Sequence, residues 1–380
     1  MVLAGAVLSA APLLLHAQTA PPPAAPQLDF SGVMFGNFQY RTDSRAKNFN
    51  KFDIDRVYLN FRVALNERTR IRATTDIYQQ QNTPQDAYYL GWAVRFKYAY
   101  ASYDYYKSPS FNATATLGMA QTLIIDYEEQ YWPRWISQVA IERAGLMSSS
   151  DLGFVTAVSM PNGWGEVYAT YMNGPGYTSR EMDRFKDPAV RLSITPFKRG
   201  KVPILQNFAI APWYYDGTVA SRFVNGGPLQ VGPVGSGLER DRWGVFVGLR
   251  DPRLTLGAEY VGFRGQGENG NNTVASPRTV FDTTGRIYSA YGLAKPLVLL
   301  DTAWNKLGVV ARYDKVTTNT TTGAWYHVFI GGLTYDLVRR LSVSANYQEQ
   351  LSNQGTVVGG VLQPATPPLK TWFFQFQATY

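Results

Sequence analysis

"TWFFQFQATY", Thr371 to Tyr380, alternates along its length. Trp372, Phe374, Phe376, Ala378 and Tyr380 are apolar, whereas Thr371, Gln375, Gln377 and Thr379 are polar; Phe373 breaks the pattern. A period of two belongs to a β-strand with one oily face and one wetter face. Soluble domains usually let a terminus fray in polar residues, so this strand is expected to be held. The same alternation recurs upstream. In "DRVYLNFRVAL" (Asp55–Leu65), Val57, Leu59, Phe61, Val63 and Leu65 oppose Arg56, Tyr58, Asn60, Arg62 and Ala64. "RTRIRATTDIY" (Arg68–Tyr78) sets Ile71, Ala73 and Ile77 against Arg70, Arg72, Thr74 and Asp76. "YLGWAVRFKYAY" predicts Leu90, Trp92, Val94, Phe96, Tyr98 and Tyr100 on one face, with Arg95 and Lys97 on the other. "AVRLSITPF", "RDRWGVFVGLR", "KLGVVARYD" and "LSVSANYQ" repeat the theme.

These runs number about sixteen, an even count of the kind that single-chain membrane barrels have. Their connectors alternate in length. Short turns at Asn66-Glu67, Asp251-Pro252 and Asp336 to Arg340 contrast with Gly/Asn/Thr/Pro-rich stretches at 216–240, 265–284, 315–323 and 350–369. Composition agrees. Of 380 residues, 14% are aromatic and 17% charged, with 25 Tyr and 34 Gly, which suits strands and turns. Mean hydropathy is −0.21, and beyond residue 27 no run is apolar enough for a membrane helix. A closed barrel needs none, because each strand shows lipid only alternate residues. The expected fold is all-β: a transmembrane antiparallel barrel with one long loop folded into its lumen.

Residues 1–17, "MVLAGAVLSAAPLLLHA", predict a secretory signal peptide with cleavage after Ala17; the run is too short for a membrane anchor. Residues 18–27 read as a stiff Pro-rich segment, and residues 28–380 as the barrel domain. The absence of cysteine excludes a disulfide framework and thiolate metal sites. Catalysis finds little support. Past the signal the one histidine is His327, on the face of Trp325, Phe329 and Leu333, and a lone strand histidine is more often a packing residue than a catalyst. No G-x-S-x-G elbow is present, and no metal or cofactor is expected. The net charge of +8 is spread over separate strands and forms no nucleic-acid-binding module.

The basic residues fall on the face opposite the apolar one: Arg56, Arg62, Arg70, Arg72, Arg95, Lys97, Arg191, Arg242 and Arg312. In a membrane barrel that face lines water, where charge sets selectivity. They either present a ladder to anions or pair with lumenal acids such as Asp76. One segment has no strand alternation, "TLIIDYEEQYWPRWISQVAIERAGLMSSSD" (Thr122–Asp151). It carries Asp126, Glu128, Glu129, Tyr131, Trp132, Arg134 and Trp135, followed by Glu142 and Arg143. Irregular backbone at membrane depth persists only inside protein or beside a water-filled cavity. This stretch is therefore expected to fold inward as a constriction; the alternative is an external loop with a short helix.

The runs "GMAQTLIIDYEEQYW", "ERAGLMSSSDLGFVTAVS" and "YATYMNGPGY" resemble the phosphate-selective porin O and P family, and "FDIDRVYLNFRVALNERTRIRATTD" resembles its second hairpin. The Glu142-Arg143 pair ahead of a Ser-rich Asp-Leu-Gly strand start, and Asn173-Gly174 closing the next strand, carry that likeness. The resemblance implies a sixteen-stranded outer-membrane barrel, trimeric, passing small polar or anionic solutes without turnover or cofactor. It implies lipid and the barrel assembly machinery as partners, the latter recognising the closing strand through Trp372, Phe374, Phe376, Ala378 and Tyr380. The competing expectations are an outer-membrane hydrolase built around His327 and a plugged structural or adhesive barrel.

Overall fold

The computed structural model describes residues 26–79, 91–181, 183–221, 237–269, 279–300, 303–353, 355–358, 361–365 and 367–380. The expected signal and most of the Pro-rich segment lie outside the described residues, as does Leu90. The first nine strands are β1 (Gln27–Arg41), β2 (Asn50–Ala64), β3 (Thr69–Gln79), β4 (Trp92–Lys107), β5 (Asn112–Gln121), β6 (Ser150–Ser159), β7 (Gly165–Met172), β8 (Asp187–Ile194) and β9 (Ala209–Tyr215). After a three-residue spur, β10 (Thr218–Ala220), come β11 (Gly237–Asp251), β12 (Leu254–Asn269), β13 (Thr279–Ala294), β14 (Leu307–Asn319), β15 (Ala324–Val338) and β16 (Leu341–Ser352). A hairpin of β17 (Gly355–Val358) and β18 (Val361–Ala365) precedes the last strand, β19 (Leu369–Thr379).

Every barrel strand pairs antiparallel with its neighbours, and β1 pairs with both β2 and β19, so the sheet closes. Setting aside β10 and the β17–β18 hairpin, sixteen strands form the barrel. Closure removes the unpaired edges that an open sheet would expose to lipid. At the seam, β19 lies along β1 from Val33↔Thr379 to Arg41↔Thr371. The Tyr380 amide donates to the Gly32 carbonyl and the Gly32 amide donates back, each at 3.1 Å. The Tyr380 ring then lies over Gly32, where a Cβ would come within 2.0 Å of it, and Phe376 covers Gly36 in the same way. Both contacts need glycine beneath the ring.

Short turns follow β2, β4, β6, β11 and β15, at the same end as Gln27 and Tyr380. In the first of these the Asn66 side chain accepts from the amides of Arg68 and Thr69 at 2.9 and 2.8 Å. The same end also carries the longer connectors 195–208 and 295–306, and at the opposite end the strands reach further into the connectors than alternation suggested. β12 extends to Asn269 and β13 begins at Thr279, within the expected loop 265–284. β14 runs to Asn319, leaving 320–323 as a turn. Polar Thr, Gln and Asn there still satisfy the ladder, because pairing needs backbone and not apolar side chains.

The outward positions are apolar around the barrel: Phe61, Ile71, Leu117, Phe154, Val190, Leu256, Val309, Phe329, Leu333 and Phe374 are all exposed. One expected face is wrong. Trp92, Val94 and Phe96 point outward as read, but Tyr98 is 3% exposed and faces the lumen, and Tyr100 packs beside the buried Ala120 and Val155. Phe96 pairs with Thr75 and Tyr98 with Thr74, so Lys97 is an extra residue in a β-bulge. A bulge reverses the phase of the alternation beyond it.

Candidate functional site

The segment 122–149 enters the barrel from the end opposite Gln27 and Tyr380, between β5 and β6, and lies inside. It forms two single-turn helices, α1 (Ile125–Glu128) and α2 (Ala140–Arg143). The inward placement expected from the sequence is thus present, with short helices inside it, and the external loop is not. The segment packs against the sector of the inner wall formed by β9 and β11 to β15. Ile124, Ile125, Val139 and Ile141 are fully buried and Trp132 nearly so. They form one cluster with Trp213, Phe246, Val261, Ile287, Val310, Val316, Val328 and Ile330, which project inward from β9 and β11 to β15. Burying each such side chain contributes about 1.5–3 kcal/mol, so a handful of them outweighs the entropy of ordering the loop ends.

A sector of the lumen wall on β9 and β11 to β15 is therefore largely apolar, which a water-lined reading of the inward face did not anticipate. The sequence did hold a signal. "WGVFVGL" and "WYHVFIGG" are almost continuously apolar, as strands buried on both faces are.

Polar contacts then tie the loop backbone to the wall. The Gln375 amide donates to the carbonyls of Trp135 and Ile136 at 3.0 and 3.2 Å, and Gln348 donates to Ile136 at 3.2 Å. Arg312 donates to the Gln138 carbonyl at 2.7 Å, and Arg191 donates to that of Leu123. On the far side Tyr98 donates to the Asp126 carboxylate at 2.8 and 2.9 Å. Gln348, Gln375 and Tyr98 were not singled out by sequence; an amide on an inward face signals only polarity until a loop carbonyl meets it.

The loop charges mostly turn away from open water. Arg134 bridges Glu129 and Glu142, reaching the latter at 2.6 and 2.9 Å. Tyr131, Trp132 and Trp135 belong to the apolar cluster and anchor the loop; Trp132 is wholly enclosed, while Trp135 and Tyr131 each show an edge to one of the two lumen cavities. Glu128 is fully buried against Glu259 of β12. Burial first, then the Glu259 carboxyl beside it, pushes Glu128 well above the ordinary carboxylate range. Burial likewise raises Glu129, against the pull of Arg134. Arg143 is pushed down to about 10 by burial and by the charge of Arg312.

The nine basic residues expected on the lumen face all turn inward, though not all meet open water. Arg56 and Arg95 share Asp76, at 3.7 and 2.9 Å, and line a cavity of 610 Å3 above the loop. Arg72 stacks on Tyr98 at 4.2 Å and donates to Thr74 and Asn60. Arg70 pairs with Asp104, and Arg62 with Asp29. Lys97 is wedged between the rings of Tyr58 and Tyr98. Arg191 sits between Tyr127 and Tyr168, pairs with Glu166 at 2.6 Å, and lines a second cavity of 750 Å3 on the other side of the loop. Arg242 stacks on Tyr215 at 4.8 Å. Arg312 is the most deeply enclosed: its side chain is 0% exposed, sealed beneath the loop with Asp314 at 2.9 Å.

Phe373, which broke the terminal alternation, faces the 610 Å3 cavity beside Trp135. His327 points outward, its Nδ1 2.7 Å from the Tyr313 hydroxyl and its ring against Trp325.

No protein-family model and no curated protein matches the chain. Solved structures do match in shape. An anion-selective porin from Comamonas acidovorans is 11% identical with a TM-score of 0.59, over 94% of this chain and 100% of that one. OmpF of Salmonella typhi, in complex with daunomycin, is 12% identical with a TM-score of 0.59, over 93% and 97%. OmpT of Vibrio cholerae, an outer membrane protein in trimer form, is 12% identical with a TM-score of 0.58, over 94% and 100%. At these identities the likeness is one of fold, and the fold that this chain shares with these outer-membrane proteins is a closed antiparallel β-barrel.

Proposed function

We propose that the chain is a porin of the bacterial outer membrane, through which small polar or anionic solutes diffuse past a charged constriction. One observation carries this reading: an apolar outer belt encloses a lumen with a charged wall, an inward loop, and a sizeable cavity on each side of that loop. Closed barrels of this outward polarity belong in lipid. Preference for anions is supported by Arg56 and Arg95 sharing a single carboxylate, and by Arg72, which rests on an aromatic face and neutral acceptors. Phosphate as the favoured anion is the finer reading, supported by the likeness of residues 50–177 to the phosphate-selective porins. A homotrimer fits the broad apolar outer face around Phe38, Phe52, Trp92 and Phe374.

A plugged barrel is the second reading, favoured by the loop's contacts with both the apolar wall and Tyr98 opposite. Planar-bilayer recording separates the two. Stepwise channels with a reversal potential on the anion side are expected, and a folded protein that conducts nothing would make the plug the correct description.

A further inference from the structure

Phe373 is the one aromatic side chain on the inward phase of β19, between Thr371 and Gln375. Its register partners are amides, Gln39 of β1 and Asn346 of β16. It takes no part in the apolar cluster that docks the loop, so neither loop packing nor lipid accounts for a ring there. Its place is on the 610 Å3 cavity, where β1, β19 and the loop contribute Phe35, Phe373 and Trp135. The cationic part of the same cavity comes from Arg56 of β2 and Arg95 of β4. Arg95 is held edge-on, its Nε donating to Asp76 at 2.9 Å and its faces covered by Tyr78 and Tyr177. Arg56 lies 3.7 Å from that carboxylate, too far for a hydrogen bond, and makes none to another described residue. Its fork of N–H donors is therefore open to the cavity, and such a fork matches a carboxylate.

We propose that this cavity is a binding site for small monocarboxylates with an apolar, ring-sized body, arenecarboxylates above all. Arg56 holds the carboxylate, and the body lies against Phe373, Phe35 and Trp135. As a step in permeation this rests on the porin reading above; as a binding site it does not. Ligand sites combine apolar walls with a few placed polar groups, at volumes that include this one. The charge of the solute follows from its surroundings. Two guanidiniums compensated by one carboxylate leave room for one further negative charge. Asp53 and Asp55 line the same cavity and oppose a second. Inorganic phosphate carries more than one charge at neutral pH and has no apolar body, so this cavity favours arenecarboxylates over it. Against acetate the ring decides. Taking about 50 Å2 of apolar surface out of water corresponds to about tenfold in binding.

The test is titration calorimetry on the folded barrel in detergent, at neutral pH and low ionic strength, with sodium benzoate, acetate and phosphate as probes. Benzoate is expected to bind about tenfold more tightly than either of the others. Phe373→Gln restores the alternation of β19, so the barrel is expected to fold, and the difference between benzoate and acetate should vanish. Arg56→Gln is expected to weaken both carboxylates. Benzoate binding no tighter than acetate overturns the site, as does a benzoate advantage that survives Phe373→Gln or carboxylate binding unmoved by Arg56→Gln. Phosphate binding tighter than benzoate overturns it too, in favour of the phosphate reading. The companion measurement is current through planar bilayers in KCl, where benzoate is expected to block chloride conductance at about a tenth of the acetate concentration. Channels that benzoate and acetate block equally overturn the site and leave the porin reading intact. A benzoate preference in calorimetry from protein that conducts nothing refutes the porin reading and supports the site.

Discussion

Asp76 lies at 0% exposure on the lumen wall, with Arg56 at 3.7 Å, Arg95 at 2.9 Å and the Tyr177 hydroxyl at 3.2 Å. One buried carboxylate thus restrains two guanidiniums, and Arg95 is further sandwiched by Tyr78 and Tyr177 at 4.0 and 4.7 Å. Asp76→Asn keeps the shape but leaves both cations uncompensated. It is expected to move the reversal potential in a salt gradient further toward anions. It should also cost about 1–3 kcal/mol, since the arginines remain partly solvated. Arg95→Gln should move the potential the other way, and a potential unmoved by both would place this triad off the conduction path. That inward arginines would find acids was legible in the alternation around Asp76. Which arginines would share it was not, because Arg95 arrives from β4, whose register depends on the bulge.

The bulge at Lys97 and the inward loop are the two irregularities that bear on the lumen; further register shifts lie at Gly36, Asp104, Thr317 and Asp336. With Lys97 removed, Phe96 and Tyr98 become consecutive, one outward opposite Thr75 and one inward opposite Thr74, as they already are. Deleting Lys97 is therefore expected to leave the barrel folded, read as heat-modifiable migration on a gel. Deleting Thr116, inside the regular β4–β5–β6 ladder, shifts every later β5 side chain to the wrong face and should abolish folding. Equal folding of both deletions would mean that register is not held by the pleat here. Period-two reading found these strands but carried one phase through the whole of β4, since a bulge leaves no mark in composition. The loop announced itself by lacking alternation. Its docking face did not, because an apolar run on one strand cannot say what will cover it.

Over the whole molecule the seam is the point of closure. Gly32 and Gly36 on β1 accept the rings of Tyr380 and Phe376 from β19 on the outer surface. Gly32→Val forces the Tyr380 ring off the seam and is expected to lower stability by about 1–3 kcal/mol. The readout is a lower urea midpoint for loss of the folded gel band. An unchanged midpoint would mean the ring adds nothing to closure. The pairing of polar Thr and Gln on one side of β19 with aromatic residues on the other orients the strand before any neighbour is chosen.

Alternation alone determined that this chain forms about sixteen strands with an oily outward face, and that 122–149 stands apart from them. Those properties are local, because a strand's two faces are written in every second residue. Tertiary structure decided the rest: that Tyr98 turns inward, that Trp132 and Glu128 enter the wall, that Arg312 is sealed beneath the loop, and that Gln375 holds the loop instead of lining water. Each depends on what lies across the lumen, at sequence separations as large as the 240 residues between Trp135 and Gln375. No periodicity within one strand encodes that distance.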